Sequence, residues 1–167
     1  MFVEALTRFS SWITGTHASQ VVQAIGWYVP AVQSTHILAV ATVLASAAML
    51  NLRILGCMNR SLSVAALGAR FQQPVWIGVA VLVISGLALL LAEPERSLVS
   101  QVFQLKMAML AVAVILTVRQ QKAVAAQAAE WEARGAAPAA AQAVALITLV
   151  LWVCILFAGR WIAYAQY

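Results

Sequence analysis

The chain has 167 residues, 64% of them hydrophobic and only 9% charged, with a mean hydropathy of +0.92. Soluble domains are nearer half apolar and a quarter charged, so the composition argues against a water-soluble globule and for a one-domain integral membrane protein. The net charge of +5 comes from basic residues placed between apolar runs, where they act as topology signals; no nucleic-acid-binding motif accompanies them, so no nucleic-acid partner is expected.

The opening stretch, MFVEALTRFSSWI, carries Glu4 and has no clean apolar run before a small-residue cleavage site. It does not read as a signal peptide. Phe2, Leu6, Phe9 and Ile13 recur at helical spacing. Residues 1–26 are therefore expected to form an amphipathic segment lying at the membrane surface, or else a first helix packed on the bundle.

Residues 27–167 hold four apolar runs, each near the roughly 20 residues that a span needs. The expected spans are 27–50, 74–92, 102–118 and 140–159. Pro74 at the head of the second suits a helix N-terminus, where its missing N–H costs nothing. With no strand pattern, the fold class is all-α, an integral membrane four-helix bundle with an N-terminal amphipathic helix. The Ala-rich stretch QKAVAAQAAEWEARGAAPAAAQ should extend the third helix and break at Gly135 and Pro138.

Arg53, Arg60 and Arg70 lie between spans one and two, and Arg119, Lys122 and Arg134 between spans three and four. Arg8, Arg96, Arg160 and Lys106 fall on the other side. The positive-inside rule then puts both basic linkers in the cytoplasm and both termini in the periplasm, for a multi-pass protein of a bacterial inner membrane. Trp27, Tyr28, Trp161, Tyr164 and Tyr167 would mark the outer interface. Cys154, inside an apolar run, reads as a small core residue, and Cys57 follows the first span near the cytoplasmic surface, where a disulfide is not expected.

Polar groups at membrane depth narrow the search for a site. His36 stands about nine residues into span one, on the order of 13 Å deep at 1.5 Å per residue. Ionisable groups there usually face the bundle and mark function, although an imidazole can also simply satisfy itself by hydrogen bonding to a neighbouring helix. Imidazole ligates haem iron, copper or zinc and relays protons. Lys106, in VFQLKMAML, either snorkels outward or presents a fixed charge to an anion; a Glu93–Lys106 pair would neutralise both groups. His36, Glu93, Lys106 and Arg160 all fall in the outer half, with His36 as the candidate metal ligand. His17 could fold down as a second ligand, which a bis-His haem would require. Met49, Met58, Met107 and Met109 are soft candidates for Cu(I), though methionine in a bundle is more often filler. Asp is absent, and no Ser/His/Asp set or Gly-rich phosphate loop occurs, so the chain does not read as an enzyme. Small-residue stretches such as LASAAM and ISGLAL permit close helix association, which would suit a homo-oligomer.

Three stretches carry a resemblance: HILAVATVLASAAMLNLRILG, EPERSLVSQVFQLKMAML and LWVCILFAGRWIAY. Together they resemble a family of small, functionally uncharacterised bacterial four-helix membrane proteins with the pattern H…DLRLLG, P…F-x-x-K and GR-x-IAY. The resemblance covers the chain from Trp27 on and carries over to His36, Arg53, Pro94, Phe103, Lys106, Gly159 and Arg160. Asn51 departs from it, standing where the pattern has Asp, which weakens an Asp–Arg pair at that end. More distantly, the in-span histidine and F-x-x-K are similar to the copper-resistance D type of membrane protein, linked with copper uptake; that is a likeness of fold, from which function does not follow. Three readings stand beside one another: a copper-handling or other metal protein with His36 as ligand, a b-type haem subunit or membrane anchor for electron transfer, and an accessory subunit of a larger membrane complex.

Overall fold

The computed structural model describes residues 2–58 and 61–162, so the expectations on Arg60, Tyr164 and Tyr167 lie outside the described residues. The described elements are all helical: α1 (Phe2–Thr14), α2 (His17–Ala24), α3 (Tyr28–Ile54), α4 (Val64–Ala92), α5 (Pro94–Leu98), α6 (Gln101–Ala133) and α7 (Ala139–Trp161). The four long helices α3, α4, α6 and α7 are each long and apolar enough to cross a membrane. The protein is an all-helical, multi-pass membrane bundle. The long helices alternate in direction, with α4 and α7 packed on α3, and α4 and α7 also packed on α6. The short helices α1, α2 and α5 gather at one end, against one another and the end of α4.

The helices overrun the apolar runs that announce them. α4 begins ten residues before Pro74, which lies inside the helix and not at its head. Two acceptors explain the earlier start. The Ser63 hydroxyl accepts the Ala66 N–H at 2.9 Å, and Glu132 Oε1, from the far end of α6, accepts the Val64 N–H at 2.6 Å. Both satisfy donors that a helix N-terminus leaves open, and the carboxylate also meets the positive end of the helix dipole. Pro74 deletes the bond to the Arg70 carbonyl where Arg70, Gln72 and Gln73 are exposed. α6 spans 33 residues, about 50 Å, against a hydrocarbon core of roughly 30 Å. Its last turns therefore project past the apolar layer, and they stop at Gly135, whose φ of +77° suits glycine.

α3 and α4 meet along a seam with a seven-residue repeat: His36 faces Ser85, Val43 faces Gly78, and Leu50 and Phe71 share one apolar cluster. Residues seven apart return to the same helix face, as in coiled-coil-like packing. At the middle contact a Cβ on Gly78 would sit 2.5 Å from Val43 Cγ2, so the glycine sets the helix separation. Ser46 and Ala47 of LASAAM, and Ser85 of ISGLAL, are buried inside this chain; these small residues serve intramolecular packing. Cys154, expected in the core, is exposed on α7. The buried stripe of that helix is Ala145, Thr148, Trp152 and Ile155, and Cys154 falls off it.

Below the seam's midpoint lies a polar layer. Gln120 of α6 donates to Asn51 Oδ1 of α3 at 2.7 Å, Asn51 donates to the Ala47 carbonyl at 2.8 Å, and Trp152 Nε1 donates to Thr117 Oγ1 at 3.4 Å. Asn51 is 1% exposed. Asn51 thus points into the bundle and binds an amide, while Arg53 donates to the Leu62 carbonyl at 2.8 Å.

The seam yields a stability prediction. Gly78→Ala forces its methyl group into the stiff, fully buried Val43 and should cost about 1–3 kcal/mol. Gly26→Ala, with nothing within 4 Å, should be neutral. Thermal unfolding in detergent compares the two, and equal melting temperatures would remove Gly78 from its role as the spacer.

Candidate functional site

The buried stripes of three long helices end before the α5 end of the bundle. On α3 the first buried residue is Ala39, on α6 it is Ala113, and on α7 the last is Ile155. Beyond these positions the helices bury nothing fully against one another, and His36 and Lys106 are half-buried there. α4 alone continues, with Ser85 buried by its contact to His36 and Ala92 near the short helices.

His36 Nδ1 lies 2.8 Å from Ser85 Oγ on α4. The Ser85 hydroxyl also sits 2.6 Å from the Val81 carbonyl, in the geometry of a donor. A hydroxyl has one proton. Spent on Val81, it leaves Oγ as an acceptor, so His36 Nδ1 carries the hydrogen and donates it to Ser85. The opposite assignment would press two lone-pair oxygens together at 2.6 Å. The neutral tautomer assigned in this way leaves Nε2 with a bare lone pair. Gly86, next to Ser85, borders the ring: a Cβ there would be 3.7 Å from His36 Cε1, an ordinary van der Waals contact.

Lys106 enters the same region from α6. Its ammonium rests against Gly159 of α7, where a Cβ would be 3.7 Å from Nζ, and it is within electrostatic reach of the His36 ring. The expected Glu93–Lys106 pair does not form. Glu93 takes Arg96 one turn away at 2.9 Å, a local i,i+3 pair, which needs less chain ordering than a contact across helices. Among the described residues no carboxylate lies within ion-pair distance of Lys106.

The remaining expected site residues divide. Arg160 is exposed in the last turn of α7, beside Gly159. His17 opens α2 and is exposed. Met109 packs in the apolar cluster around Val43 and Trp152, whereas Met58 and Met107 are exposed. Among the described residues, no three His, Cys, Asp or Glu side chains group so as to hold a metal ion. Sequence reasoning missed Ser85 and Gly86. The available signal was a small polar residue inside an otherwise apolar run, but it is shared with every small-residue helix contact.

No protein-family model, curated protein or solved structure matches the chain.

The tautomer is testable. In a His17→Gln background, with ¹⁵N-labelled histidine, the side-chain spectrum should show His36 protonated at Nδ1 and bare at Nε2. Ser85→Ala should shift the population toward the Nε2–H form. A parent protein already protonated at Nε2 would refute the assignment.

Proposed function

We propose that this chain is a multi-pass protein of the bacterial inner membrane whose α5-end half holds an anionic ligand at two points, Nε2 of His36 and the ammonium of Lys106. The observation that carries the reading is an imidazole with one ring nitrogen unengaged, within electrostatic reach of a lysine that has no carboxylate at ion-pair distance among the described residues. An ammonium inside an apolar span is stabilised by a paired anion, and a ligand with an anionic group would supply that partner. Membership in the four-helix family is part of the proposal: His36, Lys106 and Gly159, three positions that carry the resemblance, lie at this one end. The periplasmic placement of that end and of both termini follows from the basic linkers.

The donor set separates the metal-bearing candidates. A bare copper ion would find the His36 imidazole with a lysine in electrostatic reach, and among the described residues no three His, Cys, Asp or Glu side chains group to complete its site, which disfavours a cation held there alone. Haem b would meet both points: His36 would hold its iron through Nε2, and Lys106 would pair with one of its carboxylates. Bound there, haem would supply one-electron transfer chemistry, so the preferred reading is a haem-bearing electron-transfer subunit or anchor. Ser85 then fixes the orientation of the ligating ring through its second nitrogen, the usual role of a group behind a metal-bound histidine. No catalytic turnover is assigned to the chain.

Protein purified from haem-replete cells should show a Soret band that is lost in His36→Ala. Lys106→Ala should retain the band but lower haem occupancy several-fold. Elemental analysis of the same samples should find iron and no stoichiometric copper. A colourless parent protein overturns the haem reading, and copper lost in His36→Ala replaces it with the copper-handling one.

A further inference from the structure

α1 sorts its side chains into two arcs. At about 100° per residue, Glu4, Thr7, Arg8, Ser11 and Thr14 share one side, and Ala5, Leu6, Phe9, Trp12 and Ile13 the other. The bundle covers only part of the apolar arc. Ser10 is fully buried at its margin, Ile13 is buried and Leu6 is half-buried, where α1 packs on its neighbours, chiefly α5. Phe9 and Trp12 remain outside, 49% and 66% exposed, with their rings stacked at 5.9 Å. α1 is tied to the bundle through α2, where Ser19 Oγ donates to the Leu91 carbonyl of α4 at 2.8 Å and accepts from Gln23 Nε2 at 2.9 Å.

Two further exposed tryptophans stand at the same end. Trp27 precedes α3 and is 71% exposed, and Trp161 closes α7 and is 65% exposed. Both mark the level at which apolar spans end, where tryptophan favours the boundary between headgroups and acyl chains. We infer that the Phe9–Trp12 face of α1 inserts into the lipid headgroup–acyl boundary, with the Glu4–Arg8–Ser11 arc turned to water. α1 is then a lipid-binding helix that joins Trp27 and Trp161 in one aromatic girdle. The occupant is lipid because the exposed Phe9–Trp12 arc stands at the end of the bundle where Trp27 and Trp161 are also exposed, and a polar arc lies opposite, as an interfacial helix requires. The inference is independent of any ligand at His36.

The test uses the full chain with Cys57 and Cys154 replaced by serine. Nitroxide labels go on Phe9→Cys, Trp12→Cys and Ser11→Cys in turn, in nanodiscs of phosphatidylethanolamine and phosphatidylglycerol. Labels at positions 9 and 12 should collide more with oxygen than with a water-soluble nickel chelate, and the label at 11 should show the reverse. As a second readout without labels, Trp12→Phe in the native chain should reduce the share of tryptophan fluorescence quenched by shallow brominated lipids. Equal nickel access at all three positions would place α1 in water. Shielding of positions 9 and 12 from both reagents would mean that protein covers the face. Either result overturns the inference.

Discussion

The α3–α4 seam is the constraint on which the rest of the bundle depends. Inside a bilayer there is little hydrophobic gain in pressing one apolar helix on another, so association rests on close packing and side-chain hydrogen bonds. Gly78 admits Val43 at the middle of the seam. One seven-residue step toward α5 brings Ser85 to His36, and one step the other way brings Phe71 to the cluster around Leu50. Widening the seam at Gly78 would therefore also stretch the 2.8 Å bond that orients the imidazole. A packing residue and a candidate ligand residue thus share one register.

The four spans were legible because their signal is local and compositional: each is a long run that water would reject. Their true ends were not. An apolar run stops at the first charge, at Arg70 or Arg119, whereas a helix stops where its backbone partners give out. For α4 one of those partners is Glu132, 68 residues away, and no reading of the local sequence at 64–73 could reveal it. His36 and Lys106 stood out for the same compositional reason as the spans, being ionisable groups in greasy runs. Glu93 did too, but its partner came out as Arg96, because a turn-length pairing was available. Ser85 gave no such contrast. A serine in a span is cheap when it bonds its own helix backbone, as Ser85 does to Val81, and only its neighbour across the seam gives it a further part.

The two polar layers of the bundle differ in what they leave open. Around Asn51, Gln120 and Thr117, every buried side-chain polar atom among the described residues has a partner, which suits a layer that specifies packing. Around His36, one ring nitrogen is engaged and the other has no hydrogen-bond partner among the described residues. Val43, Ala47, Ala113, Trp152 and Ile155 form the apolar cluster between the layers. Polar continuity from one end of the bundle to the other is interrupted by that cluster, an arrangement that supports holding a ligand at the α5 end over passing one through.

Charge scarcity sharpens the same point. The chain has ten lysines and arginines against five glutamates and no aspartate. Four of the five glutamates are engaged elsewhere. Glu93 and Glu130 pair with Arg96 and Arg134, Glu132 caps α4, and Glu95 lies exposed in the first turn of α5. Glu4 also has a partner. Among the described residues Lys106 thus has no ion-pair partner, five residues into an apolar span. A lipid phosphate reached by snorkelling and the carboxylate of a bound cofactor would both supply the anion. The difference is Gly159: the ammonium lies against this half-buried glycine of α7, a position that supports a counter-anion held between α6 and α7.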